Sequence, residues 1–538
     1  MSKQGRILVV DDVEEWCEEL VETLQHGGFY ADSAATIERA FELLDETFYH
    51  VLVLDIRMDE KNPDNASGID VLKELDRRGM SEATRVIMLS AHDTKEQVRT
   101  AFKKYKVADF LSKDAFNARE FLKNVRQVFA EEVNINLDLA IHWQQVSGPE
   151  HVVLNLVVDG TRIRRNMPLQ SQVAAEVDDL LCRLFNRADS ILARPLIAGQ
   201  SGTGVLWVQP FYKSGGGRAV VVKFGDFHKI DEEYRNFKQY IQPFVGGGRN
   251  TTVLDLRRTP HLGGIIYSLL GAANESLEDF GEFYRHAEIS QINEVLDSLF
   301  LDTCSAWYAN PGQLKPYNLT EDYRQLLEFT TENLEQALIE LQKTVQGKQR
   351  LHFRTLPVGR TFTNPLTIVN GPPLMHPTYI CTTHGDFNQH NILVDITGHT
   401  WLIDFQGTGP GHIMRDLAQL DSEIRFFLLA ADEATLEERL AMEEALCRLE
   451  RYSQIQQLEL RFQTENHSLR KAYATALHLR MLARRLITQN PSDDMSEYSI
   501  ALLYNAMNTI RFYGLPSLQR EHALLCASLL VDLLRLRG

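Results

Sequence analysis

The chain reads as α/β at its amino end, a doubly wound parallel sheet, followed by a mixed α+β region that becomes largely helical toward the carboxy end. Three patterns predict this. Short apolar strands alternate with amphipathic stretches through the first ~130 residues, alternating stretches broken by glycine turns run from about 190 to 275, and leucine-rich periodic stretches recur beyond that point. A chain of 538 residues has room for three or four domains. The pattern changes place their boundaries at 1–133, 134–190, 191–275 and 276–538.

Composition narrows the function. Against 56 basic side chains stand 73 acidic ones, a net charge of −17 at pH 7, more than half of it in the first 133 residues. A surface of that sign repels phosphate backbones and anionic lipid, so neither nucleic acid nor a membrane surface is an expected partner. At 44% hydrophobic residues the chain can bury several cores. The six cysteines are scattered, without the close pairs that start a zinc site or disulfide framework, and read as reduced thiols. No apolar run approaches the ~18 residues of a membrane span, and MSKQGRILVVDD meets two aspartates before a signal core could form. A cytoplasmic protein without membrane insertion is the expectation.

In the first module the strands are Ile7 to Val10, Val51 to Leu54, Val86 to Leu89 and a short one at Phe110 and Leu111. Val13, Trp16, Leu20 and Leu24 recur at helical spacing, with glutamates on the opposite face. In a parallel sheet the functional groups gather beyond the carboxyl ends of the strands. Asp11 and Asp12 follow the first strand, Asp55 the next long one, Ser90 ends another and Lys113 the last. Three carboxylates brought together repel unless a divalent cation sits among them, and oxygen-only ligands suit magnesium. One of the three is then poised to accept a phosphoryl group. Each aspartate alone would be an ordinary turn or cap residue; five polar positions in this order are not.

On these residues the first ~130 positions resemble a response-regulator receiver domain of two-component signalling. The resemblance implies that Asp55 is the phospho-acceptor, in a domain that catalyses its own phosphoryl transfer. Asp11 and Asp12 would bind magnesium with it, Ser90 would be the switch hydroxyl, and Lys113 would contact the phosphoryl oxygens. Phe110 would occupy the rotating aromatic position. A sensor histidine kinase would be the partner, and the resemblance allows a homodimer through this module. The loop after Asp55, RMDEKNPDNASG, is longer and more acidic than the family's tight turn.

The connecting segment holds two alternating stretches, INLDLAIHW and HVVLNLVVDGTRI, separated by the turn-like SGPE. This predicts a β-hairpin, then a helix from Gln172 to Phe185 with Val173, Val177, Leu180, Leu181 and Leu184 on one side.

Three features carry the chemistry downstream. GQSGTGVLWVQPFY runs Gly199, Gly202 and Gly204 into a strand, and after the turn at Gly215 to Gly217 a second strand, Ala219 to Phe224, carries Lys223. Glycines at such a turn let backbone amides approach phosphate oxygens, and a lysine on the paired strand can reach the same oxygens; a plain hairpin with a solvated edge lysine is the simpler alternative. THGDFNQHNILVD holds Asp386 and, five positions on, Asn391. TWLIDFQG places Asp404 at the end of an apolar strand. An acid that deprotonates a hydroxyl, with an amide and a second acid to hold magnesium, is the minimum set for phosphoryl transfer. Helices are expected at Leu326 to Leu341, Leu436 to Leu449, Leu469 to Leu486 and Leu518 to Leu536. Arg470, Lys471, Arg480, Arg484 and Arg485 read as a solvated helix face in preference to an anion-attracting row.

From about 190 onward the chain resembles the kinase-like phosphotransferases of the aminoglycoside phosphotransferase and choline kinase type, a bilobal α+β protein-kinase-like fold with a large helical C-lobe. The resemblance implies Asp386 as catalytic base, Asn391 and Asp404 as magnesium ligands, and Lys223 on the α- and β-phosphates of ATP. Gly199, Gly202 and Gly204 would line the phosphates. Lys223 would pair with Glu233 or, alternatively, Glu232. His384 would support the loop, and Asp416 would be the buried acid anchoring it. Phe-Gln-Gly after Asp404 favours the small-molecule branch, whereas the glycine loop departs from both branches. The expectation is a response regulator whose output is an ATP- and magnesium-dependent phosphotransferase acting on a small-molecule hydroxyl of unidentified acceptor. The alternatives are a catalytically inactive kinase-like scaffold that binds nucleotide or a partner, and a protein kinase, for which activation-loop features are lacking.

Overall fold

The computed structural model describes residues 4–58, 67–90, 101–196, 202–244, 251–269, 277–309, 311–328, 330–341, 349–356, 360–457, 462–487 and 492–535. These fall into two compact units, Met1–Glu232 with Val253–Ser268 and Glu233–Thr252 with Leu269–Gly538.

The first unit opens with β1 (Arg6–Val10), α1 (Glu14–His26), β2 (Tyr30–Ala34), α2 (Ile37–Glu46), β3 (Val51–Asp55), α3 (Ser67–Arg77), β4 (Arg85–Ser90), β5 (Asp109–Ser112) and α4 (Ala118–Val128). The five strands are parallel in the order β2-β1-β3-β4-β5, the doubly wound sheet expected from the sequence. Successive residues of a strand face opposite sides. Leu8, Val10, Leu52 and Leu54 therefore enter one core, and Ile7, Val9, Val51 and Val53 the other. Helices on both faces explain the unbroken apolar runs of β1 and β3. The edge strand β2, YADSA, escaped the sequence reading because only Ala31 and Ala34 are buried in it. After α4 a π-helical turn continues to Val133.

The connector departs from the predicted hairpin. β6 (Ala140–Trp143) pairs in parallel with a strand fifty residues on, β7 (Ser190–Pro195). The end of SGPE opens a single helical turn, Pro149–Val152, because Pro149 sits at a helix start where its missing N–H costs nothing, and beyond it Val157–Val158 pairs antiparallel with Thr161–Arg162. Between them lies α5 (Pro168–Leu184), the helix expected at 172–185. β8 (Gly204–Tyr212), β9 (Val220–Asp226), β10 (Thr251–Arg258) and β11 (Leu262–Leu269) complete a second sheet in the order β10-β11-β9-β8-β7-β6, with the short strand Gly215–Gly216 against β8. Val177, Leu180, Leu181 and Leu184 of α5 pack on Ile191, Leu206, Val208, Val222, Phe224 and Ile266 of this sheet.

The polar face of α5 is buried too. Glu176, Asp179 and Arg183 follow one another at helical spacing. Glu176 accepts from the Thr259 hydroxyl (2.6 Å) and the His261 backbone N–H (3.1 Å) and pairs with His261 Nδ1 (2.6 Å), gripping the β10–β11 turn. Asp179 and Arg183 engage the first sheet: Asp179 meets His50 directly before β3, and Arg183 donates to the Ala83 carbonyl two residues before β4.

The second unit is mixed α/β and mostly helical. α6 (Phe227–Asn236) runs into it from the first. α7 (Phe280–His286) precedes the strands β12 (Ile380–Thr383), β13 (Ile392–Val394), β14 (Thr400–Leu402) and β15 (Gly409–His412), and α8 (Arg415–Ser422) follows. β12 pairs with β15 and β13 with β14, both antiparallel. The single helix expected at 326–341 is two, Leu319–Leu327 and Thr331–Glu340. Glu328 in the left-handed region ends the first, and a capping box at Thr330 starts the second. The later helices, Leu436–Cys447, His467–Leu486 and Ser517–Arg535, lie where the periodicity put them. Lys471 and Arg480 correct the reading of a solvated face: both are buried, Lys471 donating to the Tyr284 carbonyl and Arg480 to that of Leu446. Among the described residues no helix is long and apolar enough to cross a membrane.

Candidate functional sites on the two units

At the carboxyl edge of the first sheet, Lys113 lies between two carboxylates, 2.7 Å from Asp11 Oδ2 and 2.7 Å from Asp55 Oδ2. The remaining oxygens of these acids accept backbone N–H groups two residues on, Val13 for Asp11 and Arg57 for Asp55. Carboxylate oxygens of Asp11, Asp12 and Asp55 lie within 4.8 Å of one another. Burial is the main force on Asp11 and Asp55. It pushes Asp11 up to about 6, against the opposing hydrogen bond from Lys113, and raises Asp55. Burial alone would lower Lys113, but its two carboxylate partners outweigh this and hold it above the ordinary lysine value. A hard oxygen donor set of this size fits magnesium. Phe110, on β5, is half-buried against one of the two cores. Ser90 ends β4 opposite Ser112, and its side chain and the acidic loop 59–66 lie outside the described residues.

In the second unit the loop between β12 and β13 carries the sequence HGDFNQHN. Asp416, fully buried on α8, accepts the backbone N–H groups of His384 (2.9 Å) and Gly385 (3.1 Å) and the Tyr308 hydroxyl (2.8 Å). His384 is buried as well, its Nε2 paired with the Ile403 carbonyl at 3.1 Å and its ring against Phe387 and Phe405. Gly385 has φ +81°, and a Cβ there would lie 2.1 Å from the Gly407 carbonyl oxygen. Only glycine lets these two loop backbones approach so closely.

Asp386 is held at both oxygens. Asn391 Nδ2 donates to its Oδ2 (3.1 Å) and to its carbonyl (2.9 Å), and Gln419 Nε2 donates to its Oδ1 (3.1 Å). The β13–β14 pairing brings the next acid alongside: Ile403 N–H donates to the Asn391 carbonyl at 3.1 Å, and Asp404 follows. Asp404 is buried at φ +71°, a conformation non-glycine residues adopt mainly where the surroundings impose it. The amide and the acid suit a hard cation. Glu233 accepts the Phe405 N–H at 3.2 Å.

Lys223 belongs to the first unit, buried on β9 between Val205 of β8 and Ile265 of β11, so it is not an edge lysine in solvent. Gly202, at φ +76°, and Gly204 are explained by packing: a Cβ would meet Val157 at 2.6 Å and the Phe224 ring at 2.3 Å. Gly199 lies outside the described residues.

Sequence reading missed Gln419, Glu423 and Tyr308. The first two were findable, because Asp416, Gln419 and Glu423 recur at i, i+3 and i+7 on one helical face. Glu423 is buried, and burial followed by the nearby Asp386 charge pushes its carboxyl up to about 8 against a hydrogen bond from the Gln389 N–H. Tyr308, from a distant segment, carried no signal.

Comparison with known proteins finds matches at both ends of the chain. Residues 7–126 match the response regulator receiver domain. Transcriptional regulatory protein CpxR, from Escherichia coli K12 and in the same measure from Shigella flexneri, is 37% identical over 141 residues, 26% of this chain and 52% of the relative. The chain thus spans about half the length of these curated relatives. Among solved structures, the Vibrio cholerae chemotaxis protein CheY4 is 22% identical over 23% of this chain and 98% of its own, with a TM-score of 0.21. The beryllofluoride-activated NtrC4 receiver domain dimer is 29% identical over 24% and 98%, with a TM-score of 0.21. Residues 189–345 and 355–511 match the model described as Ternary complex associated domain 9. With a receiver domain at its amino end and that model spanning more than half of its length, the chain belongs to the ternary complex associated domain 9 family.

Proposed function

We propose that the protein is a response regulator, phosphorylated on Asp55 by a sensor histidine kinase, whose output region is a kinase-like ATP- and magnesium-dependent phosphotransferase acting on a small-molecule hydroxyl. The observation that carries the reading is the convergence of Asp386, Asn391 and Asp404 about one β-hairpin, with Asp386 fixed at both oxygens.

In this reading Asp386 accepts the proton of the acceptor hydroxyl as its oxygen attacks the γ-phosphorus and the bond to the β-phosphate oxygen breaks. Asn391 and Asp404 would hold the magnesium, which when bound neutralises charge on the nucleotide phosphates. Lys223 is given to the α- and β-phosphates by resemblance. Asp416 keeps the loop backbone in place, and Gly385 admits the close passage of residue 407. In the receiver, Asp55 is the nucleophile toward the phosphoryl donor, Asp11 and Asp12 complete the cation site, and Lys113 faces the transferred oxygens.

The test is transfer of ATP γ-phosphate to a panel of hydroxylated small molecules by wild type and Asp386→Ala. Transfer that falls by about 10²-fold or more in the variant supports the reading; equal transfer by both contradicts it. A second reading, a scaffold that binds nucleotide or partners without turnover, draws support from the family's description, which names an assembly and no reaction. Nucleotide binding without transfer to any acceptor or to water would favour it.

A further inference from the structure

Asp416, Gln419 and Glu423 form a polar stripe along α8 and its continuation, and each member engages a successive part of the HGDFNQHN loop. Asp416 takes the N–H groups of His384 and Gly385; Gln419 takes that of Phe387; Glu423 takes that of Gln389. Gln419 differs from its neighbours in having two functions in one amide. Its Oε1 accepts the Phe387 N–H at 2.8 Å, and its Nε2 donates to Asp386 Oδ1 at 3.1 Å. The first bond pins the backbone and the second pins the carboxylate. Since Asn391 holds the other oxygen, the plane of the Asp386 carboxylate is fixed by two amides, one from its own loop and one from α8.

Resting on the phosphotransferase reading above, we propose that Gln419 is a positioning residue for the transfer reaction, orienting the Asp386 carboxylate toward the acceptor hydroxyl. A carboxylate free to rotate spends much of its time with neither oxygen aligned to the incoming proton, and misplacement of about 1 Å lowers such a step by roughly 10²-fold. Glutamate at position 419 keeps an acceptor for Phe387 but offers Asp386 a like charge in place of a donor. Leucine removes both bonds.

The two bonds can therefore be separated experimentally. Wild type, Gln419→Glu and Gln419→Leu are compared for kcat and KM in γ-phosphate transfer, for thermal midpoint, and for hydrogen exchange of the loop peptide containing residues 384–389. The expected result is a kcat lower by about 10- to 100-fold in both variants with the KM for ATP within about threefold, while loop exchange accelerates only in Gln419→Leu. A kcat that follows loop protection, normal in Gln419→Glu and low in Gln419→Leu, would overturn the positioning role and leave a structural one. Wild type that transfers no phosphoryl group to any acceptor would overturn the reading beneath it, an outcome visible before either variant is made.

Discussion

His50 and Asp179, 129 positions apart, share a hydrogen bond of 2.6 Å between His50 Nε2 and Asp179 Oδ1 that is closed to solvent. The Arg6 backbone N–H donates to His50 Nδ1 at 2.9 Å, so the ring proton sits on Nε2 and points at the aspartate. Arg183 completes the triad, its Nε donating to Asp179 Oδ2 at 2.7 Å. His50 immediately precedes β3, and Asp55 ends it. One five-residue strand thus has the proposed phospho-acceptor at one end and the grip of the connector helix at the other.

The triad makes the receiver and connector fold together. Burial opposes the charge on Asp179, but Arg183 and then His50 outweigh it and hold the carboxyl well below the usual aspartate range. Asp179→Ala strands Arg183 without its partner and is expected to cost about 3–5 kcal/mol in urea denaturation at neutral pH. His50→Phe, which leaves the Asp179–Arg183 pair, should cost less. Because the folded-state value is depressed, this contribution is present above the ordinary aspartate value and is lost as pH falls through the folded one. The gap between wild type and Asp179→Asn should narrow on acidification. A constant gap would contradict the ion pair.

In the proposed function, phosphoryl transfer to the receiver needs Asp55 and the cation site together. With a small-molecule phosphodonor and magnesium, wild type should gain one phosphoryl group by intact mass, and Asp55→Asn none. Asp11→Ala, which removes one carboxylate of the set, should need about tenfold more magnesium for the same rate. Labelling of Asp55→Asn equal to wild type would place the acceptor elsewhere.

Asp416 supports the HGDFNQHN loop with three accepted hydrogen bonds. Asp416→Ala leaves two buried backbone donors and a hydroxyl unsatisfied, at about 1–3 kcal/mol each, and should lower the thermal midpoint together with activity. Tyr308→Phe removes one bond of the three and should cost about 1 kcal/mol with most activity kept. Equal effects of the two changes would show that the backbone contacts contribute little.

Glu423 gives the second unit an alkaline weakness. Its folded-state carboxyl, at about 8 through burial and the Asp386 charge, lies above the unfolded value. The folded protein therefore binds the proton more tightly. This favourable contribution is full below the unfolded value and is lost progressively as pH rises toward about 8. Denaturation midpoints should fall over that range by up to one proton's worth, ~1.4 kcal/mol per pH unit, and the slope should flatten in Glu423→Gln. Parallel curves for the two proteins would contradict the assignment.

What was legible in the sequence follows from where the physics is local. The apolar runs of β1 and β3 and the periodic helices at 436–447, 467–486 and 517–535 announce themselves, since each is fixed by its own period. The acid pocket was legible because parallel strands deliver their ends to one edge, and Asp386, Asn391 and Asp404 because a β-hairpin joins neighbours in sequence. The connector was not: β6 finds its partner fifty residues away, and alternation cannot distinguish a hairpin from a long-range parallel pair. The close packing at Gly202 and Gly204, where a Cβ would meet Val157 and Phe224, was not legible either, since those side chains lie elsewhere in the chain. Tyr308 and the buried Lys471 depend likewise on long-range contacts that no local pattern encodes.

In the proposed function the state of Asp55 governs a phosphotransferase carried on the same chain. The direct measurement is steady-state γ-phosphate transfer from magnesium-ATP by the full-length protein with and without beryllofluoride, in wild type and in Asp55→Asn. The expected result is a beryllofluoride-dependent change in turnover in wild type that vanishes in Asp55→Asn, while transfer in both remains dependent on Asp386. Turnover indifferent to beryllofluoride, or a response that persists in Asp55→Asn, would contradict it.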